Sequence, residues 1–168
     1  MSERLTQSTL PSLPETVARP GYDPAAHGVG IVHIGVGAFH RAHQAVYTDS
    51  ALGHEGGDWR IEGISLRSTD IADALNPQDG LYTLIVRREE GVSARVIGSI
   101  RRVIAAARER EAALAALAVP ETRIASVTVT EKAYGIDRAR GAVDTAHPAI
   151  AADLAHPRAP VGVIGMLV

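Results

Sequence analysis

Gly35, Val36, Gly37, Ala38, Phe39, His40 and Arg41 have the types and spacing to hold a phosphate-bearing ligand. The apolar run Ile31-Val32-His33-Ile34 leads into two glycines one residue apart, and a helical pattern follows. That is the order of strand, tight turn and helix start in a dinucleotide site. Gly35 can take backbone angles closed to other residues, and Gly37 leaves no side chain between the backbone and an approaching pyrophosphate. The N–H groups of the helix start would meet the phosphates, and Arg41 would add a positive charge beside them. His40 stands where the third glycine of G-x-G-x-x-G belongs, so the generic fingerprint is only partly met. On the two glycines alone, an ordinary strand-to-helix turn accounts for the pattern as well as a nucleotide site does.

The turn needs elements to hold it. Residues 39–52 carry Ala42, Ala45, Val46 and Leu52 on one helical face, with Gly53 as a stop, and predict the first crossover helix. Residues 59–66 are short and β-rich and suit a second parallel strand. In a dinucleotide-binding unit the end of that strand, about 20 residues past the glycines, normally sends an acidic side chain to the ribose hydroxyls. Here the first charged side chains are Arg67, a partner for a 2′-phosphate, and Asp70, an acceptor for ribose hydroxyls that would repel that phosphate. Residues 81–86 and 94–100 are strand-like runs separated by the polar stretch 87–93, which predicts an antiparallel hairpin insertion. A helix over 109–118 ends at Pro120, and a strand over 123–130 delivers Glu131 and Lys132 to the end of the sheet where open α/β folds bind ligands. Beyond it Pro148, Pro157 and Pro160 predict loop. The apolar tail 161–168 stops without a cap, as a piece of a longer chain would.

Composition narrows the function classes. With 17 basic and 19 acidic residues and a net charge of −2, the chain has no global field to recruit nucleic acid or an anionic membrane. There is no cysteine, which excludes disulfides, thiolate catalysis and thiolate-bound metals. Residues 1–29 hold Pro11, Pro14, Pro20 and Pro24 and no continuous apolar segment, so they read as an extended arm and neither as a secretory signal nor as a membrane span. The expectation is a soluble, cytoplasmic protein. His40 and His43 have helical spacing for a metal, but two histidines without a third ligand do not make a site, and none is assigned. Tyr82 reads as core packing, and Arg101, Arg102 and residues 108–111 as solvated faces.

Three blocks carry a resemblance that the bare pattern does not. Residues 31–44 (I-V-H-I-G-V-G-A-F-H-R-A-H-Q), 78–84 (Q-D-G-L-Y-T-L) and 128–134 (T-V-T-E-K-A-Y) resemble successive blocks of the mannitol dehydrogenase family of long-chain polyol dehydrogenases, in the family's order and spacing from about Tyr22 to Val168. The resemblance implies an α/β fold, a Rossmann-type, doubly wound and mainly parallel sheet with the hairpin insertion, over residues 30–168. It implies binding of NAD, with NADP tolerated, and a helical C-terminal domain that this chain lacks. The family's G-x-G-x-F-H-R-A-H turn falls on Gly35 to His43, so His40 in place of a glycine is a family trait. Its T-x-T-E block falls on Thr128, Thr130 and Glu131, and assigns Glu131 to proton movement between active site and solvent. The family's catalytic lysine belongs to a K-x-x-x-x-N-x-x-H block, which nothing here matches; Lys132 is the only lysine. Two readings follow. One is the cofactor domain of an oxidoreductase that interconverts a small-molecule polyol or hexuronate and its keto form, mannitol/fructose or mannonate/fructuronate, and is inactive without the missing domain. The other is a catalytically silent, stand-alone nucleotide-binding module.

Overall fold

The structure is a computed structural model that describes residues 4–168, so the first three residues of the expected arm lie outside the described residues. The arm supplies a short strand, β1 (Val17–Ala18), before β2 (Val29–Ile34) runs into the turn at Gly35. The helices α1 (Ala38–Ala42) and α2 (Gln44–Glu55) lead to β3 (Arg60–Ser65) and α3 (Asp70–Leu75). A hairpin of β4 (Tyr82–Arg88) and β5 (Gly91–Ile97) precedes β6 (Ile100–Ala105), α4 (Ala106–Ala118) and β7 (Ile124–Val127). The remainder is a small hairpin of β8 (Ile136–Asp137) and β9 (Ala142–Val143), then α5 (Pro148–Ala155) and α6 (Val163–Leu167).

The main sheet has the order β6-β3-β2-β7 with every neighbouring pair parallel. β2 sits between β3, where Ile34 pairs with Ile64, and β7, where Ile34 pairs with Val127. From β2 the chain winds outward through β3 to β6 and then returns to the other side of β2. This reversal of strand order opens a crevice at the carboxyl ends of β2 and β7, the place where open α/β sheets bind ligands. Side chains alternate along the strands, so both faces are covered. Ile31 and Ile61 pack with Val36, Ala45, Leu75 and Ile97 on one face, while Val32, Ile34 and Ile64 pack with Ala113, Val163 and Met166 on the other. The hairpin forms a sheet of its own, ordered β1-β5-β4, in which β1 runs parallel to β5. Among the described residues no helix is long and apolar enough to cross a membrane.

Several elements differ from the sequence expectation, each for a local reason. The helix expected over 39–52 breaks at His43 (φ −125°, ψ −88°). Its Nδ1–H donates to the Phe39 carbonyl at 2.9 Å, in place of the backbone N–H, which turns to His40. α2 then runs through Gly53, which lies against the arm at Gly21, and stops at Gly56 with φ 65°. The strand expected over 94–100 is two strands divided at Gly98 and Ser99, and β6 went unforeseen. The Asp49 carboxylate takes the Gly98 N–H at 2.7 Å, and the Ser99 hydroxyl donates to the Ala45 carbonyl at 2.6 Å, so α2 holds the bend. Arg101 and Arg102 are exposed as expected, but they lie on β6, where Arg102 pairs with Glu62 at 2.6 Å. The helix expected over 109–118 begins earlier, at Ala106, with non-helical angles at Glu109, and the strand expected over 123–130 ends at Val127. The region expected as loop contains α5, where Pro148 occupies a first-turn position and its missing N–H removes no helical bond, and the apolar tail forms α6, whose Val163 and Met166 drop into the core.

Two buried polar joints fix the first face. Asp49 of α2 accepts from the Tyr22 hydroxyl at 2.8 Å, from Gly98 N–H and from the Arg95 guanidinium at 2.5 Å, joining arm, hairpin and helix. His33 of β2 and His40 of α1 stack with ring centroids 3.7 Å apart, both fully buried. Burial holds the His33 imidazole down at about 4 against a small opposing effect of its bond to Gly35. Burial, His33 and Arg41 together hold His40 at about 3.

Asp49→Ala strands a buried N–H and a tyrosine hydroxyl, and is expected to lower unfolding free energy by about 3 kcal/mol in urea titrations. Arg95→Ala, at a side chain about a third exposed (35%), is expected to cost less, about 1 kcal/mol. The histidines give a pH dependence. In the unfolded chain they take up protons near pH 6.5, whereas folded they stay neutral to about 4 and about 3. The unfolded state therefore binds more protons as pH falls through that window, and stability falls with it. His40→Phe keeps a stacked ring but removes one of these sites, so the stability lost between pH 7 and 4.5 should shrink by about 2 kcal/mol. An unchanged loss would remove His40 from the acid sensitivity.

Candidate functional site

The two glycines of the turn do different work. Gly35 has φ 104°, and a Cβ there would lie 3.3 Å from the Thr128 hydroxyl, so the chain itself requires glycine. Its N–H donates to the Ile64 carbonyl at 2.9 Å and continues the ladder to β3. Its carbonyl accepts Gly37 N–H at 2.7 Å and the Thr128 hydroxyl at 2.8 Å. Gly37 has φ −82° and ψ −179°, angles open to any residue, and a Cβ there would meet nothing nearer than the Gly35 carbonyl at 3.9 Å. The protein does not need Gly37 for its own packing; the missing side chain leaves open space on the outer face of the turn. That is the space a dinucleotide's pyrophosphate needs, and the residues present fit it.

The neighbours of the turn keep its shape. Val36 is buried against Gly63 of β3, where any Cβ would collide with it. Ala38 is exposed and opens α1, whose first N–H groups lack intrahelical acceptors. Phe39 is exposed and stacks on His43 at 4.2 Å. Arg41 was expected to offer its charge outward, but its guanidinium donates back to the Val36 carbonyl at 2.9 Å and braces the turn from inside. Half-buried Tyr82 packs on the core and also donates its hydroxyl to the Arg41 carbonyl at 2.6 Å, tying the hairpin to the cradle. His40 is buried and His43 exposed, each engaged with a different ring, so the pair does not converge. No group of three potential ligands gathers among the described residues.

Sequence reasoning missed the polar chain beneath the turn. His33 Nδ1 lies 2.9 Å from the Ser126 hydroxyl, and its Nε2 lies 2.9 Å from the Thr128 hydroxyl and 3.3 Å from the Gly35 carbonyl. Gln44, at the start of α2, reaches Ser126 at 3.1 Å. The signal available was a histidine at an inward position of an apolar strand, which must find partners when buried, and two hydroxyl residues on one face of 123–130.

The remaining candidates stand at the same end of the sheet. Arg67 is exposed just past β3 and borders a cavity of about 400 Å³ with Leu66, Ala133, His147 and Val163. Asp70 opens α3, exposed, with its N–H accepted by the Ser68 hydroxyl at 3.0 Å. Glu131 begins a single 3-10 turn (Glu131–Tyr134) three residues after Thr128, and its exposed carboxylate pairs with Arg138 beside β8. The structure thus gathers Gly35 to Arg41 with Thr128 at the crevice, sets Arg67 on the adjoining loop and Asp70 at the start of α3, and leaves Glu131 at the rim. A larger cleft of about 530 Å³, lined by Gly28, Asp58, Glu62, Arg101, Glu121 and Arg123, lies at the opposite, amino-terminal end of the strands.

Residues 29–165 match the family profile for the mannitol dehydrogenase Rossmann domain. A mannitol 2-dehydrogenase of Cereibacter sphaeroides is 47% identical over 90% of the chain and 32% of its own length. A polyol:NADP oxidoreductase of Gluconobacter oxydans is 41% identical over 98% of the chain and 35% of its own. The Pseudomonas fluorescens mannitol 2-dehydrogenase, solved as a ternary complex with NAD and D-mannitol, superposes with a TM-score of 0.90 at 43% identity, covering 98% of this chain and 34% of that one. The chain thus spans about a third of the length of the relatives it matches. The doubly wound fold, the turn and these likenesses agree: the chain belongs to the mannitol dehydrogenase family.

Proposed function

We propose that this chain is the cofactor-binding domain of an NAD-dependent oxidoreductase that interconverts a polyol and its keto form, mannitol/fructose in the first place and mannonate/fructuronate as the second pair. The observation that carries this reading is Gly37: a glycine the fold does not need, facing open space at the crevice between β2 and β7. The backbone of Gly35, Val36, Gly37 and Ala38 would hold the pyrophosphate, with Phe39, His40 and Arg41 keeping the turn in shape. NAD, when bound, supplies the hydride acceptor and in its reduced form the donor. Glu131 would pass the substrate hydroxyl's proton toward solvent from the rim, with Arg138 opposite its carboxylate. The general base and most of the groups that hold the sugar fall to a second, helical domain, in keeping with the third of the relatives' length that this chain spans.

Cofactor choice rests on the loop after β3. The Pseudomonas relative is solved with NAD and the Gluconobacter relative is named for NADP, which supports a site that prefers NAD and tolerates NADP. Arg67 would meet a 2′-phosphate there, and Asp70 the ribose hydroxyls.

Gly37→Val is expected to weaken NAD binding at least tenfold, about 1.4 kcal/mol, in calorimetry, with unchanged circular dichroism because its φ and ψ suit valine and no protein atom crowds the new side chain. Equal affinity would take the pyrophosphate away from this turn. Arg67→Ala should reduce affinity for NADP more than for NAD in the same assay, whereas a larger loss for NAD would show that the arginine does not discriminate the two.

A further inference from the structure

Hydrogen-bond direction can be worked out along the chain beneath the turn. A carbonyl only accepts, so the Thr128 hydroxyl donates its one proton to the Gly35 carbonyl, 2.8 Å away. Thr128 Oγ1 then has only lone pairs to offer His33 Nε2 at 2.9 Å, and the Gly35 carbonyl 3.3 Å from the same nitrogen again offers only lone pairs. Both neighbours require a proton on Nε2. A neutral imidazole carries one proton, so Nδ1 accepts, and the Ser126 hydroxyl at 2.9 Å supplies the donor. With its own proton committed to Nδ1, Ser126 cannot also donate to Gln44 Oε1, 3.2 Å away, and instead accepts from the Gln44 amide nitrogen at 3.1 Å. Every bond then runs one way: Gln44 to Ser126, Ser126 to His33, His33 to Thr128, Thr128 to Gly35.

We infer that His33 is a positioning residue of the cofactor turn: as the Nε2–H tautomer it orients the Thr128 hydroxyl, which holds the Gly35 carbonyl and so fixes how the turn faces the ligand. The inference rests on the reading of this turn as an NAD site. The geometry gives it a reason. Gly35 lies at φ 104° with no side chain to restrain it, and its carbonyl can swing unless something outside the turn holds it. Gly37 N–H restrains it from within the turn, and Thr128 restrains it from just past the end of β7, across the crevice. His33, fully buried on β2 opposite Ser126 of β7 and stacked under His40, is the piece that selects the Thr128 rotamer. A histidine that only filled the core would be replaceable by any ring of its size.

The test uses the 168-residue chain, three single variants and one double variant. Long-range proton–nitrogen correlation of the His33 ring, run without ligand, should show a protonated Nε2 and an unprotonated Nδ1. Calorimetry with NAD should show a loss of about tenfold in Thr128→Val, an exposed position where the exchange does not threaten the fold, and a similar loss in His33→Phe. His33→Gln, whose amide nitrogen can replace the Nε2 donor, should bind within about threefold of the parent chain. The double variant with Thr128→Val and His33→Phe should lose no more than either single one, because both break the same link. A protonated Nδ1, or parent-like NAD affinity in Thr128→Val and in a folded His33→Phe, would overturn the inference. If the parent chain binds no NAD, the NAD reading fails instead, while the ring spectrum still decides the tautomer.

Discussion

The carbonyl of Gly35 is the point on which the site depends. A strand that ends in a residue at positive φ throws its next peptide out of the ladder, and that peptide must be held by something other than the sheet. Here it accepts one bond from within the turn, at Gly37, and one from Thr128, the residue that follows β7. Because β7 lies on the opposite side of β2 from β3, the second bond spans the place where strand order reverses. The crevice and its wall are therefore made by one contact. A different strand order would put another element beside β2 and leave that carbonyl without its partner.

The same division of labour recurs across the sheet. Apolar contacts cover both faces and supply most of the stabilisation, roughly 25 cal/mol for each Å² of apolar surface removed from water. Polar joints decide which element goes where. Arg60, buried at the start of β3, donates to the carbonyls of Pro24, Gly98 and Ile100 and so registers the arm and the β5–β6 bend against the main sheet. Asp49 does the same from α2. On the ligand side, His33 and Tyr82 link the turn to β7 and to the hairpin. The geometry of the exposed and half-exposed turn residues Gly35, Gly37, Ala38, Phe39 and Arg41 is thus set by groups that never face the crevice, which is how a rigid scaffold positions a loop that binds.

Much of this was legible in the sequence, and the part that was not has physical causes. The strand, turn and helix at residues 31–42, the hairpin and the last parallel strand are local patterns: apolar runs, glycines and β-branched residues at short range. β6 escaped because Arg101 and Arg102 project to solvent from it and break the apolar run. α5 escaped because prolines near a short helix read as loop, while its stability comes from docking Ile150. The relay under the turn escaped because His33 meets Ser126 and Thr128 across 93 and 95 residues of chain. No spacing rule reaches that far. Arg41 illustrates the opposite failure, since a charge in the right sequence position is committed to the Val36 carbonyl by a bond that only the folded turn creates.

NAD bound to this chain should lie at the carboxyl ends of β2 and β7. Titrating NAD into the isotopically labelled protein and following the backbone amides tests it directly. The largest shifts are expected at residues 36–40 and at Thr128, with smaller ones at Arg67, past β3, and at Asp70, the first residue of α3. Shifts concentrated at Gly28, Asp58 and Glu121, around the larger cleft at the other end of the strands, with the turn unmoved, would contradict it.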